Sequence, residues 1–172
     1  MVTGNPRPSS RTHGVALAVA RALGGADLVV DLAEHAASLF DPADPELSRL
    51  TAEVAASDIV VVASPTYKAA YTGMLKAFLD RYGNDGLAST IAAPIMTGGW
   101  AGHTLAVEVH LRPVLVELGA TVPARGLYVT EPDIDEPDAV VAAWAETAVP
   151  LIRGALVSGC GARRSDGAVS PP

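Results

Sequence analysis

Unbroken apolar runs alternate with amphipathic ones along this 172-residue chain, and the alternation predicts strands and helices in turn. Ile59 to Ala63 is apolar throughout, rich in β-branched residues and bounded by polar ones, the pattern of a strand covered on both faces. Leu28 to Leu32 and Ile91 to Met96 read the same way, and Leu127 to Val129 reads as a shorter strand. Pro65, with no N–H to give to a ladder, is expected to stop the pairing begun at Ile59. Helical spacing runs from Thr12 to Leu23, where Val15, Leu17, Val19 and Leu23 are apolar and Gly24-Gly25 ends the run. A second helix is predicted from Pro45 to Ala56, with proline in its first turn. A third starts at Thr72-Gly73, with Leu75, Phe78, Leu79 and Tyr82 on one face and Lys76, Asp80 and Arg81 largely on the other. Thr104 to Leu118 and Asp138 to Val157 complete the helices, and Pro113 predicts a kink or bulge in the first of these. Ala33 to Asp44 has weak periodicity and reads as a surface connection carrying Leu39-Phe40.

Strands that alternate with helices favour a parallel sheet with right-handed crossovers and helices on both faces, a three-layer α/β domain. The chain reaches its first loop after only Met1-Val2-Thr3, so the first strand is expected to be truncated, with the true start upstream. Residues 1–158 form the expected domain and 159–172 a flexible polar tail. Irregular segments follow three strands, at Gly4 to Thr12, Ser64 to Lys68 and Thr97 to Trp100, and should converge at the carboxyl edge of the sheet, where open α/β sheets bind ligands.

Composition narrows the classes. A hydrophobic fraction of 49% and a mean hydropathy of +0.30 exclude a disordered chain. A net charge of -7 and a pI near 4.9 argue against nucleic acid, whose sequence-independent binding needs concentrated Lys and Arg. The single cysteine, Cys160, cannot close an internal disulfide, and no run reaches the roughly 20 apolar residues of a membrane span. With no secretory signal ahead of the domain, the expected compartment is the cytoplasm, with no membrane partner.

The three loops carry the candidate chemistry. Asn5, Arg7, Ser10 and Thr12 offer side-chain donors beside a helix start, whose backbone N–H groups and partial positive charge suit a phosphate dianion. The plainer reading is an N-cap with solvent-facing arginines. Pro65, Thr66 and Tyr67 could lie beside a planar ring, or simply turn the chain from strand to helix; Lys68 alone reads most simply as a solvated charge. Thr97-Gly98-Gly99 frees backbone N–H groups for close approach, or makes an ordinary βα turn. Three such loops on one edge favour the ligand reading.

The segments GNPRPSSRT, SPTYKAAYTGMLKAFLD and TGGWAGHTLAVEVHLRPVLVELGA resemble the NAD(P)H-dependent FMN reductases of the flavodoxin-like superfamily. The similarity is closest to the alkanesulfonate-type reductases of two-component monooxygenase systems, and it covers roughly Gly4 to Val129. It implies a five-stranded sheet of order 2-1-3-4-5 and FMN as the flavin. It assigns the flavin phosphate to Asn5 (usually Ser), Arg7, Ser10, Arg11 and Thr12, the ring and ribityl chain to Pro65, Thr66, Tyr67 and Lys68, and the pyrimidine edge to Thr97, Gly98 and Gly99. His103 matches a histidine of the family's TGG-x-x-x-H pattern. Where flavin-transferring relatives carry A-V-D-Y-x-L-K-P, this chain reads Ala106-Val107-Glu108-Val109-His110-Leu111-Arg112-Pro113, with Val109 in the tyrosine position.

The resemblance implies hydride transfer from NADPH or NADH to FMN, with no catalytic side chain and no metal, and reduced flavin supplied to a monooxygenase. The alternatives are a reductase that keeps FMN and reduces quinones, azo dyes or nitro compounds, and a flavodoxin-like electron carrier. A homodimer or homotetramer is also implied. Independently of family, Leu105, Val107, Val109, Leu111, Val114, Leu115, Val116 and Leu118 give one helix more apolar faces than a core needs, which would place Glu108 and His110 at a subunit boundary.

Overall fold

The computed structural model describes residues 1–159, so of the expected tail only Gly159 falls within it, and Cys160 lies outside the described residues. Five parallel strands form one sheet in the order β2-β1-β3-β4-β5. They are β1 (Val2–Thr3), β2 (Val30–Asp31), β3 (Ile59–Pro65), β4 (Ile91–Gly98) and β5 (Leu127–Thr130). The helices are α1 (Arg11–Leu23), α2 (Pro45–Ala55), α3 (Gly73–Leu79), α4 (Arg112–Glu117) and α5 (Asp138–Val157).

Side-chain alternation along the central strands divides the core in two. Val60, Val62 and Met96 face α2, α3 and α4 with Leu47, Leu50, Leu75, Phe78, Leu111 and Leu115. Val61, Ala63 and Ile95 face α1 and α5 with Val15, Val19, Val141, Ala148 and Ile152. The short β1 is the sheet's pivot: Val2 and Thr3 pair with Val30 and Asp31 on one side and with Val62 and Ala63 on the other. β2 is correspondingly shorter than its apolar run from Leu28.

Pro65 does not stop the pairing. β3 keeps register with β4 to the pair Pro65 and Thr97, and the Thr66 N–H donates to the Thr97 carbonyl at 2.7 Å. β1 has already ended opposite Ala63, so no strand flanks Pro65 on that side and its missing N–H costs no ladder bond.

The segment after β4 departs from a single helix. A 3-10 turn at Ala101–His103 is followed by a π-helical turn at Val107–Leu111 and only then by α4. Pro113 has no N–H for the carbonyl one turn before it, and the wider turn lies immediately ahead of it. The expected bulge is therefore present although Val109 stands at its centre. The connection from Ala33 holds a short 3-10 helix, Leu32–His35, and buries Leu39 while leaving Phe40 exposed. α5, with 20 residues and a mean hydropathy of 1.5, does have the length and composition of a membrane span. In this fold it lays Val141, Ala148 and Ile152 on the sheet and α1.

Candidate functional site

The first loop leaves the sheet through Gly4, whose N–H donates to the Ala63 carbonyl at 2.8 Å. A Cβ there would stand 2.4 Å from Leu75 Cβ, so only glycine lets β1 pass this close to α3. Thr72 fixes the crossing: its hydroxyl donates to the Gly4 carbonyl at 2.6 Å and accepts from the Leu75 N–H at 3.1 Å, capping α3. The Thr72 N–H in turn donates to Ser64 Oγ at 2.9 Å. Beyond Gly4, Asn5 is buried and folds the loop on itself, accepting from the Arg7 N–H at 3.0 Å and donating to Thr12 Oγ1 at 3.3 Å. Ser9, at φ 49°, donates its N–H to the buried Asp31 carboxylate at 2.9 Å, and Ser10 caps α1 at the His13 N–H. Of the first-turn N–H groups of α1, that of His13 is taken by Ser10, while Arg11 and Thr12, whose N–H groups have no intrahelical partner, line the same cleft as this loop.

The second loop is a tight turn. Tyr67 and Ala70 exchange both backbone hydrogen bonds, at 2.8 and 3.2 Å, across Lys68 and Ala69, which sit at φ 54° and 66°. Left-handed backbone without glycine at both central positions is strained. The turn holds Tyr67 about half exposed and carries Lys68 outward into solvent. The third loop begins inside β4. Thr97 is buried and shares a 2.7 Å hydrogen bond with Thr12, so the first and third loops are tied across the sheet end.

One cleft of about 460 Å³ at the carboxyl edge collects Asn5, Arg7, Ser10, Arg11, Thr12, Pro65, Thr66, Tyr67, Thr97, Gly98 and Gly99. Of the residues expected from sequence, Lys68 stands outside it. His103 also stands apart, edge-on to Trp100 with ring centres 4.7 Å apart. A hollow of similar volume lies at the opposite edge, among Met1, Gly24, Gly25 and Asp58, where no strand presents its carboxyl end.

The two arginines of the first loop are not equivalent. Arg11 pairs with Glu131 at 2.8 Å and with Asp135 at 3.5 Å, and these carboxylates raise its pKa above the ordinary value. Arg7 is exposed and has no ion pair among the described residues. The cation available to an incoming anion is therefore Arg7, beside the start of α1. Gly98 and Gly99 line the same cleft and bring no side chain of their own into it. This set fits a flavin mononucleotide: an anion seat at a helix start, an exposed aromatic ring at Tyr67 and bare backbone at Gly98-Gly99.

Sequence reasoning missed Pro8, Ser9, Glu131 and Ile134, which also line the cleft. The last two follow β5, whose carboxyl end lies on the same edge as the others, and that rule alone would have found them. Glu108, expected at a subunit boundary, is engaged within the chain. It bonds Arg112 at 2.7 Å and the Gly126 N–H at 2.6 Å, while Arg112 donates to the carbonyls of Val122 and Ala124. This clamp sets the approach to β5.

Residues 1–133 match the family model described as NADPH-dependent FMN reductase. The chain is 32% identical over 141 residues to an FMN reductase (NADPH) of Escherichia coli strain K12, an alignment covering 77% of this chain and 73% of that one. It is 31% identical over 169 residues to an FMN reductase (NADPH) of Pseudomonas aeruginosa, covering 89% and 91%. A solved NADH:FMN oxidoreductase in its apo form superposes with a TM-score of 0.69 at 28% identity, covering 86% of this chain and 87% of that one.

Proposed function

The chain belongs to the NADPH-dependent FMN reductase family, and from that premise we propose that its cleft holds FMN for reduction by NADPH or NADH. The observation that carries the reading is the convergence of three loops on one cleft, with Arg7 free at the α1 start and Gly98-Gly99 bare in its lining. Bound FMN supplies the redox chemistry, accepting a hydride at its ring from the nicotinamide. The chain's own residues bind and orient. Arg7 and the first turn of α1 take the phosphate. Tyr67 and Pro65 flank the ring, and the backbone N–H groups of the Gly98-Gly99 turn meet the edge where negative charge grows on reduction. Asn5, Thr12 and Thr97 hold the loops in place through hydrogen bonds to one another, preorganising the site.

The reduced flavin is passed to a flavin-dependent monooxygenase, a role supported by the resemblance to alkanesulfonate-type reductases, and the enzyme acts as a homo-oligomer in the cytoplasm. Assembly is supported by the apolar side chains Leu105, Val109 and Val116, each more than half exposed on the outer side of the segment from Leu105 to Glu117. Anaerobic oxidation of NADPH and NADH with FMN in excess tests the activity. Turnover of many FMN equivalents per protein supports it, and none with FMN, quinone or azo dye would leave an electron carrier. The absorption spectrum of protein purified without added flavin separates exchangeable FMN from retained FMN.

A further inference from the structure

Tyr128 stands on β5 opposite Met96 of β4, and its hydroxyl reaches under Gly98. A Cβ built on Gly98 would lie 2.2 Å from Tyr128 Oη and 3.3 Å from Thr66 Cβ, so both side chains close on the space that glycine leaves open. Tyr128 Oη and Thr66 Oγ1 are buried, and neither has a hydrogen-bond partner in the fold. Thr66 and Gly98 line the cleft, whereas Tyr128 lies directly behind them. A buried hydroxyl without a partner is destabilising, and phenylalanine or valine would fill the same shapes without that cost. Two such hydroxyls on side chains that both close on Gly98 mark a place where a ligand completes the hydrogen bonding.

We propose that Tyr128 and Thr66 form a two-hydroxyl relay that gains its acceptor when the polar edge of the flavin ring seats against Gly98. Tyr128 is then a positioning residue for the ring: the two hydroxyls are unpaired in the flavin-free fold, and seating the ring turns Thr66 so that Oγ1 accepts from the Tyr128 O–H while the Thr66 O–H donates to the ligand. The proposal rests on the cleft being the FMN site. Because negative charge grows at that edge on reduction, the relay favours reduced over oxidised flavin.

The test compares wild type with Tyr128→Phe, Thr66→Val and the double variant, reading the melting temperature without flavin and the Kd values of oxidised and anaerobically reduced FMN. Tyr128→Phe is expected to raise the flavin-free melting temperature by roughly 2–4 °C, since an unsatisfied hydroxyl is removed. It is expected to weaken oxidised FMN by about 3- to 10-fold, the worth of one hydrogen bond, and reduced FMN by more. Thr66→Val should shift both readouts in the same direction, and the double variant should bind FMN no worse than the weaker single one, because the two act as a unit. A lower flavin-free melting temperature with FMN affinity within about twofold of wild type would overturn the relay, since the hydroxyl would then serve the fold alone. Equal losses for oxidised and reduced FMN would overturn the redox preference. Failure of the wild type itself to bind FMN would instead overturn the assignment of the cleft.

Discussion

Replacing Arg7 with alanine separates the two arginines of the first loop. Arg11 is held by Glu131 and Asp135, whereas Arg7 stands exposed at the cleft mouth beside the start of α1. A hydrogen bond from a guanidinium to a phosphate contributes about 1.5–3 kcal/mol when shielded from water. Exposure screens Arg7, and the α1 N–H groups remain in the variant, so a loss of about 1–2 kcal/mol is expected, roughly 5- to 30-fold in Kd. Riboflavin has the same ring and no phosphate, so its affinity should stay within about twofold. Quenching of flavin fluorescence, titrated with FMN and riboflavin against wild type, Arg7→Ala and Arg11→Ala, measures both losses. High salt should narrow the gap between wild type and Arg7→Ala. Equal losses for the two flavins, or a larger FMN loss in Arg11→Ala than in Arg7→Ala, would refute the assignment.

Thr72→Ala removes both the α3 cap and the bond to the Gly4 carbonyl, and should lower unfolding free energy by about 1–3 kcal/mol in urea titrations, with Thr72→Ser restoring most of it. Gly4→Ala drives a Cβ into Leu75, and should both lower the melting temperature and weaken FMN, because the first loop is displaced with β1. Val109→Asp should shift the oligomer towards monomer in sedimentation velocity by burying an unpaired charge; a monomeric wild type with full turnover would end that reading. The Asp44 carboxyl is held below its ordinary value, chiefly by the Leu47 N–H at the start of α2. Its contribution to stability is complete above its unfolded pKa, near pH 4, and is lost as pH falls through the lower folded value. Asp44→Asn should therefore flatten the acid limb of the stability curve below about pH 4.

The central stretch from Ile59 to Leu79 was legible because each signal is local: a β-branched run, a proline, a capping threonine and a helical face. Pro65 misled for the opposite reason. Whether a proline breaks a strand depends on which neighbour is present, and here β1 ends two residues earlier. The meeting of Thr12 with Thr97 joins positions 85 residues apart, so only the sheet order reveals that these threonines bind each other. Pro113 announced a disturbance whose form, a π-helical turn, depends on packing around Val107 and Leu111. Glu131, Ile134 and Tyr128 were missed because β5 is short and the segment after it reads only as acidic. Their role comes from the edge they share, and no residue pattern of their own marks it.

The cleft has walls of unequal strength. The first, second and third loops are joined by buried hydrogen bonds: Thr72 to Gly4, the Thr66 N–H to Thr97, and Thr12 to Thr97. The wall from Glu131 to Ile134 is joined to α1 through Arg11, whose pairs with Glu131 and Asp135 have side chains more than half exposed. Pairs of that kind contribute little in water and less in salt. Widening the cleft by parting the first three loops would break buried bonds, whereas moving the fourth wall would part surface ion pairs and lift Ile134 out of the core it shares with α1 and α5. The fourth wall is therefore held by the burial of Ile134 more than by charge, and added salt should loosen it little.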